Sequence, residues 1–452
     1  MPAVKGKPTV PPTSIPLPTD DAQTFPASLA ITRRSLAKGA LLAASGLALA
    51  ACGSDGDSSS NSETPSSLTF WLSGDANEGG GYAVLAEDYE AATGIHIEIV
   101  DVAYDDFNTK LVNAALAGDL PDIGRIPSVD PTFSEDLVDL ADVASERNIM
   151  SSLLLPDDDG KVLTIPAAVT SVGLFVNKSL FEQAGVSYPT SEDESWTWDE
   201  FIETTTKVKE ATGARYNLVM DRTSHRLRAF LYQFGSEGFV EADDGTYSTN
   251  DNTKKALEYF SNMNDDAIMP RSVWLSEDDP SALFKSGEVV AYYSGCWQLA
   301  DFEENITDFE WASAYMPQQP TRSTNIGTGG FLTAFDTNGN GGAAKEFISW
   351  ALAEDQYRKY CKLAAAIPAV EDMQVDYDFA QDSFEIYAKE IAASPDIAGY
   401  QVTQGLDWQN RGLIVDGDPL RDEVIKYVSG EQDVNTTIDR IIEQYDEAVA
   451  NG

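Results

Sequence analysis

The sequence predicts an α/β protein in two lobes, with mostly parallel sheets flanked by helices. Three observations carry that expectation. From Leu68 onward, short β-rich runs alternate with amphipathic stretches in a β-α-β-α-β order. At 452 residues the chain is long enough for more than one hydrophobic core. Its 42% hydrophobic and 10% aromatic content is that of a globular protein.

Leu68 to Leu72 reads as a buried strand, Gly81 to Thr93 as a helix carried by Val84, Leu85, Tyr89 and Ala92, and His96 to Val102 as an alternating strand. Asp106 to Ala117 follows as a helix ended by Gly118, and Pro121-Asp122-Ile123 opens the next strand. Ligands of such sheets gather at the carboxyl ends of the strands, where this reading puts Trp71, Tyr104 and Asp122. Val162 to Pro166 and Val172 to Asn177 read as strands, and Lys178 to Ala184 as a short helix. Trp198 to Thr212 is a longer helix whose entry, Thr197-Trp198-Asp199-Glu200, has the pattern of a capping box. Further helices are expected at Leu227 to Phe234, Asn252 to Met263 and Pro280 to Gly287, then a strand at Val289 to Tyr293. Ala343 to Ala353, Glu354 to Leu363, Asp378 to Ala392, Pro419 to Ser429 and Val434 to Ala448 make the carboxyl-terminal part helical.

Charge excludes several classes of function. Against 74 Asp plus Glu stand 30 Lys plus Arg, a net charge of -44, which repels a phosphate backbone; no nucleic acid partner is expected. Two histidines and three cysteines cannot build the usual Cys/His zinc cage, and no metal, cofactor or catalytic residue is expected.

The first 51 residues read as an address. Five basic residues stand against two acidic ones there, and adjacent Arg33-Arg34 precede an apolar stretch from Gly39 to Ala51 that is too short to span a bilayer. That is the pattern of a twin-arginine signal peptide. Leu49-Ala50-Ala51-Cys52 resembles the bacterial lipobox, which makes Cys52 the expected lipidation site and the first residue of an anchored mature protein, with an ordinary thiol as the alternative. Residues 52–67, GSDGDSSSNSETPSS after the cysteine, are small or polar and read as a flexible tether.

Several segments together resemble the extracellular solute-binding proteins of ATP-binding-cassette importers, the family that includes maltose-binding and other sugar-binding lipoproteins. They are LTFWL with its Gly-rich turn, AALAGDLPDI, GKVLTIPAAVTSVGLFVNKSLFEQAGV with WTWDEF, ALFKSGEVVAYYSGCW, Gly329-Gly330-Phe331, and AAKEFISWALAEDQYRKYC before AAAIPAV. The resemblance implies a type II periplasmic-binding-protein-like fold whose chain crosses between the lobes three times. It maps one lobe to 68–170 plus 320–365 and the other to 171–319 plus 366–452, with hinges near Ala167 to Val172, Pro317 to Gly327 and Ala364 to Pro368. It further implies a monomer on the outer face of the cytoplasmic membrane, held through Cys52, that binds a carbohydrate between its lobes and hands it to the permease subunits of an importer.

A sugar offers flat C–H faces and a rim of hydroxyls, so its receptor needs aromatic planes and planar hydrogen-bonding groups. Candidates are Trp71, Glu78, Tyr104, Asp122, Trp297, Gly330, Asp407, Trp408 and Arg411. Trp297 falls where family members stack an aromatic on the ligand. Trp71, Trp297 and Trp408 have core packing as their alternative, and the charged candidates have a solvated or structural role. Gly330 lets backbone approach the ligand or serves a plain turn. Cys296 and Cys361 are expected as free, buried thiols. A secreted glycoside hydrolase would need a similar cleft with paired carboxylates, and a polyamine would suit an acidic one; Arg125, Arg222, Arg226 and Arg411 are too scattered in sequence to argue for phosphate.

Overall fold

The computed structural model describes residues 65–73, 80–157, 159–276, 278–415 and 417–451, with Tyr104 and Asp105 described by their backbone alone. The expectations for the leader, Cys52, Glu78 and the Tyr104 side chain lie outside the described residues. The strands are β1 (Ser67–Ser73), β2 (His96–Val102), β3 (Ile123–Ile126), β4 (Ile165–Pro166), β5 (Val169–Asn177), β6 (Tyr216–Met220), β7 (Val240–Glu241), β8 (Tyr247–Ser248), β9 (Val289–Gly295), β10 (Trp311–Ala314), β11 (Ile326–Thr328) and β12 (Phe331–Ala334).

One sheet has the order β2-β1-β3-β12-β4, and the other runs β10-β5-β9-β6 with β11 added on β5. Among the named strands, parallel pairing is confined to β1 with β2 and β3, and β6 with β9. The expected mostly parallel sheets are therefore mixed. β5, β11 and β12 belong to segments that return between the sheets, and each pairs antiparallel with its neighbours.

Each sheet has its own core. Phe70, Leu72, Tyr82, Phe347 and Tyr360 fill one face of the first under the helices Gly81–Thr93, Gly341–Ala351 and Glu354–Leu363. Phe107, Leu111, Ile126 and Phe133 fill the other, under the helix Tyr104–Ala117. In the second sheet Trp198, Phe230, Phe260 and Trp274 pack on one side, and Phe175, Phe284, Tyr292, Phe302 and Tyr387 on the other. The helix Trp198–Thr212 starts as its sequence predicts: Glu200 N donates to Thr197 Oγ1 at 3.2 Å, and Thr197 N donates back to Glu200 Oε2 at 2.8 Å.

Three chain segments run side by side between the sheets. Val169 N donates to Ile367 O at 2.8 Å, Gly329 N to Ala168 O at 2.9 Å, and Ala167 N to Gly330 O at 2.9 Å. β11 continues the contact along β5, with Ile326 opposite Ser171 and Thr328 opposite Val169. This short ladder, with the small cluster of Leu153, Val169, Ala369, Val402 and Leu406 packed around it, joins two bodies whose main cores are separate, and it positions the site. Among the described residues no helix is long and apolar enough to cross a membrane.

Candidate functional site

The carboxyl ends of four strands converge on the ladder. β1 ends at Ser73 and β3 at Ile126 on one side; β6 ends at Met220 and β9 at Gly295 on the other. Because Met220 lies opposite Tyr293 in parallel register, the next residue, Asp221, falls beside Ser294.

Asp221 is the centre of the second side. It is buried, and its carboxylate accepts from Ser294 Oγ at 2.7 Å, from the Tyr292 hydroxyl, and from Arg226 through Nε at 2.7 Å and through Nη2. The Arg226 side chain is 14% exposed, and its guanidinium lies 4.1 Å from the centre of the Trp297 ring. The indole is therefore capped by a cation that a buried carboxylate holds in place. On its other side the ring edge lies against Gly295, where a Cβ would come within 2.1 Å of it.

His225, the residue before Arg226, completes this wall. Its Nδ1 contacts Gln401 Oε1 at 2.9 Å and Asn325 Nδ2 at 2.5 Å, and its ring lies 5.7 Å from that of Trp297. Burial and the neighbouring Arg226 charge hold its pKa down at about 3, so the ring is neutral near pH 7. On the first side, Arg125 Nη1 donates to Ser73 O at 3.1 Å, and Arg125 Nη2 lies 3.4 Å from where a Gly329 Cβ would be. Arg125 thus stands near Ala168, just before β5, and Trp297 near Ser171 within it, three residues apart along the chain, or about 10 Å.

The sequence candidates fall into three groups. Trp71, Trp297 and Gly330 lie at this convergence. Trp71 is half-buried near the end of β1, packs beside the Phe107 cluster and carries Lys110 Nζ 5.1 Å from its ring centre. Gly330 has φ +88, a conformation only glycine adopts without strain, and its carbonyl accepts from the ladder.

Asp122 is elsewhere, and this corrects its expected placement. It precedes β3, at the amino end of the sheet, because β1 and β3 pair with Phe70 opposite Ile123. Its Oδ2 accepts from Thr69 N at 2.7 Å, and its Oδ1 from Asn340 Nδ2 at 2.9 Å. It ties β1 to the turn after β12. Asp122→Ala is expected to cost about 1 to 3 kcal/mol of unfolding free energy, by leaving these part-buried donors unpaired, with ligand affinity unchanged in calorimetry.

Asp407, Trp408 and Arg411 form the third group, on the helix Tyr400–Arg411, and they hold that helix to its own lobe. Trp408 Nε1 donates to Tyr247 OH at 3.0 Å and the ring packs on Tyr445. Arg411 pairs with Asp407 at 2.7 Å and Glu241 at 2.9 Å, which pushes its pKa further up. Gln401 of this helix reaches the site through His225 and Asn325, while Gln404 accepts from the buried Arg228 at 2.9 Å. Both cysteines are free and buried, and burial pushes the Cys296 thiol up to about 11.

Asp221, Arg226, His225 and Arg125 were not among the candidates. A strand at Tyr216–Met220 would have pointed to Asp221, as the residue after a strand's carboxyl end.

The model of the bacterial extracellular solute-binding protein family matches residues 84–385, more than half of the chain. This chain belongs to that family. Among curated relatives of this solute-binding protein, the arabinooligosaccharide-binding protein of Bacillus subtilis is 22% identical over 333 residues, 69% of this chain and 75% of the relative. Maltose-bound T. maritima MalE3 superposes with a TM-score of 0.67 at 17% identity, over 84% of this chain and 98% of that one. The maltose/maltodextrin-binding domain MalE of Bdellovibrio bacteriovorus, bound to maltotriose, superposes with a TM-score of 0.66 at 20% identity, over 85% and 100% of the two chains. At these identities the structural likeness is one of fold, and the fold is the type II periplasmic-binding-protein-like one.

Proposed function

We propose that this solute-binding protein captures a sugar or oligosaccharide between two lobes that close about the β5/β11 ladder, and releases it chemically unchanged to the membrane subunits of an importer. The first lobe is built on the β2-β1-β3-β12-β4 sheet and the second on β10-β5-β9-β6. One observation carries the reading: strand ends rich in polar and aromatic groups, Ser73 and Arg125 against Asp221, Arg226 and Trp297, meet at the narrow ladder joining two separate cores. Cleft closure is the motion such a joint permits. Relatives that carry an oligosaccharide in their names support the ligand class. In this reading Cys52 is lipidated, the protein is a monomer on the outer face of the membrane, and it performs no catalysis.

In this reading a cation meets the sugar in place of a bare indole face. Arg226 caps the Trp297 face, so the guanidinium edge and the Asp221 network offer hydrogen bonds to sugar hydroxyls, while the indole supports the guanidinium from behind. A true ligand at 100 times its dissociation constant is expected to add about 2.7 kcal/mol of stability. Thermal shift over a panel of mono- and oligosaccharides, with solution scattering on the best ligand, checks this. Stabilisation with a smaller radius of gyration is expected; a full panel without any shift, or turnover of the bound saccharide, would refute the reading.

A further inference from the structure

The turn between β12 and the helix Gly341–Ala351 reads Asp336-Thr337-Asn338-Gly339-Asn340-Gly341, two Asn-Gly pairs in succession. Such a pair can modify itself. The glycine nitrogen attacks the asparagine Cγ and closes a five-membered imide, and the amide nitrogen leaves as ammonia with the proton that the glycine nitrogen gave up. Water then opens the imide at either carbonyl, which gives aspartate or isoaspartate. Glycine favours the reaction because no side chain shields its nitrogen.

In the folded chain the reacting groups are held apart. Gly339 N donates to Asp336 O at 3.1 Å, and Gly341 N to Asp336 Oδ1 at 2.9 Å. A carboxylate, with a pKa of about 4, is far too weak a base to take that second proton. The Asn340 amide donates to Asp122 Oδ1 at 2.9 Å, and that of Asn338 to the same oxygen at 3.4 Å and to Leu120 O at 3.3 Å. Asn340 has ψ 4, so its own backbone nitrogen eclipses the nitrogen of Gly341, whereas imide closure needs Cβ in that position. Close packing holds Gly341 there: a Cβ on it would stand 2.6 Å from Asp336 Oδ1 and 2.8 Å from a Val138 methyl.

We propose that this turn is a self-modification site kept unreacted by the fold. While it is closed, Asp122 and Asp336 restrain both pairs; each opening of the turn lets the imide form. Asp122 is 5% exposed and also tied to Thr69, so an aspartate at 340 would set a second carboxylate against one that cannot move away. Isoaspartate would lengthen the backbone where Asn340 O accepts from Ala344 N at the start of the helix. Asn338 is exposed and less tightly held, so it reacts first. The change is one-way, and it marks molecules whose first lobe has opened locally.

Peptide mapping by mass spectrometry on the intact protein, kept in mildly alkaline buffer with and without urea, tests this. Conversion at both asparagines is expected to be at least about tenfold faster in urea, with Asn338 ahead of Asn340 in the folded protein. Asp122→Ala, shown to be folded by circular dichroism, should speed conversion at Asn340 about fivefold or more, the worth of one lost hydrogen bond. Asn340→Asp should lower the melting temperature, and adding Asp122→Asn, whose amide donates to the new carboxylate, should recover most of the loss. The urea comparison and the Asn340→Asp pair keep the test valid if Asp122→Ala fails to fold. Equal rates in the folded and unfolded chain, or an Asn340→Asp variant as stable as the wild type, would overturn the proposal. So would conversion at Asn340 no faster in folded Asp122→Ala than in the wild type.

Discussion

Asp221→Ala is expected to destabilise the protein by about 3 to 5 kcal/mol, the cost of removing one partner from a buried ion pair. Asp221 is 7% exposed and is the shared acceptor for Arg226, Tyr292 and Ser294. Alanine leaves a guanidinium and two hydroxyls without their acceptor where little water reaches them. The single-hydroxyl variants Tyr292→Phe and Ser294→Ala remove one donor each, and with the carboxylate retained each should cost about 1 kcal/mol. Urea unfolding of the three variants measures the contrast. A loss at Asp221 no larger than at Ser294 would mean that Arg226 finds another acceptor, and that the cap on Trp297 is not held by this carboxylate. The same substitution frees Arg226 to leave the indole, so quenching of tryptophan emission by an added sugar should also change.

Much of the scaffold was legible because local chemistry wrote it. The helices Gly81–Thr93, Lys178–Ala184, Trp198–Thr212 and Pro419–Ser429 have the limits their periodicity and caps predict, and Thr197 with Glu200 forms the expected capping box. Where a residue's role depends on a neighbouring chain segment, the reading fell short. Only Ile165–Pro166 of the expected strand Val162 to Pro166 pairs; before it, Val162 O accepts from Leu140 N and Leu163 O from the Thr333 hydroxyl, off the strand ladder. β6 escaped notice: its five residues, Tyr216 to Met220, are all buried, and a short strand buried on both faces shows no alternation. The helix Tyr400–Arg411 is polar enough, with Gly405 within it, to read as a loop.

The site was half legible for the same reason. Trp71 and Trp297 were singled out because an aromatic near a strand's carboxyl end is conspicuous in sequence, and both side chains stand near the strand ends. What covers Trp297 is Arg226, from a different helix, and nothing in the order of residues brings the two together. Asp122 was assigned to the wrong end of its strand: a residue just before a strand and one just after it look alike in sequence but lie at opposite ends of the sheet. Asp407, Trp408 and Arg411 have the residue types that bind sugars, and the structure spends them on Tyr247 and Glu241.

Gly295→Ala is expected to dismantle the Trp297 wall without touching a charge. Gly295 has φ -178, extended backbone open to any residue, so the obstacle is purely steric. An alanine Cβ would stand 2.1 Å from two carbons of the Trp297 ring and 2.6 Å from the carbonyl oxygen of Ser171. The ring can rotate away; the carbonyl belongs to β5, which is held on both sides by β9 and β11. Moving the ring relieves one clash and costs its packing against both cores of its lobe and its stack with Arg226, while the carbonyl contact forces β9 and β5 apart as well. Overpacking together with a lost cation-π contact gives about 2 to 4 kcal/mol of destabilisation. If Trp297 supports Arg226 as the ligand-facing plate, saccharide affinity should fall about tenfold or more in Gly295→Ala, and Trp297→Phe, which keeps a ring under the guanidinium, should retain most of it. Should Gly295→Ala lose stability yet bind sugar as the wild type does, Trp297 would be a packing residue and the plate would have to be sought on Trp71.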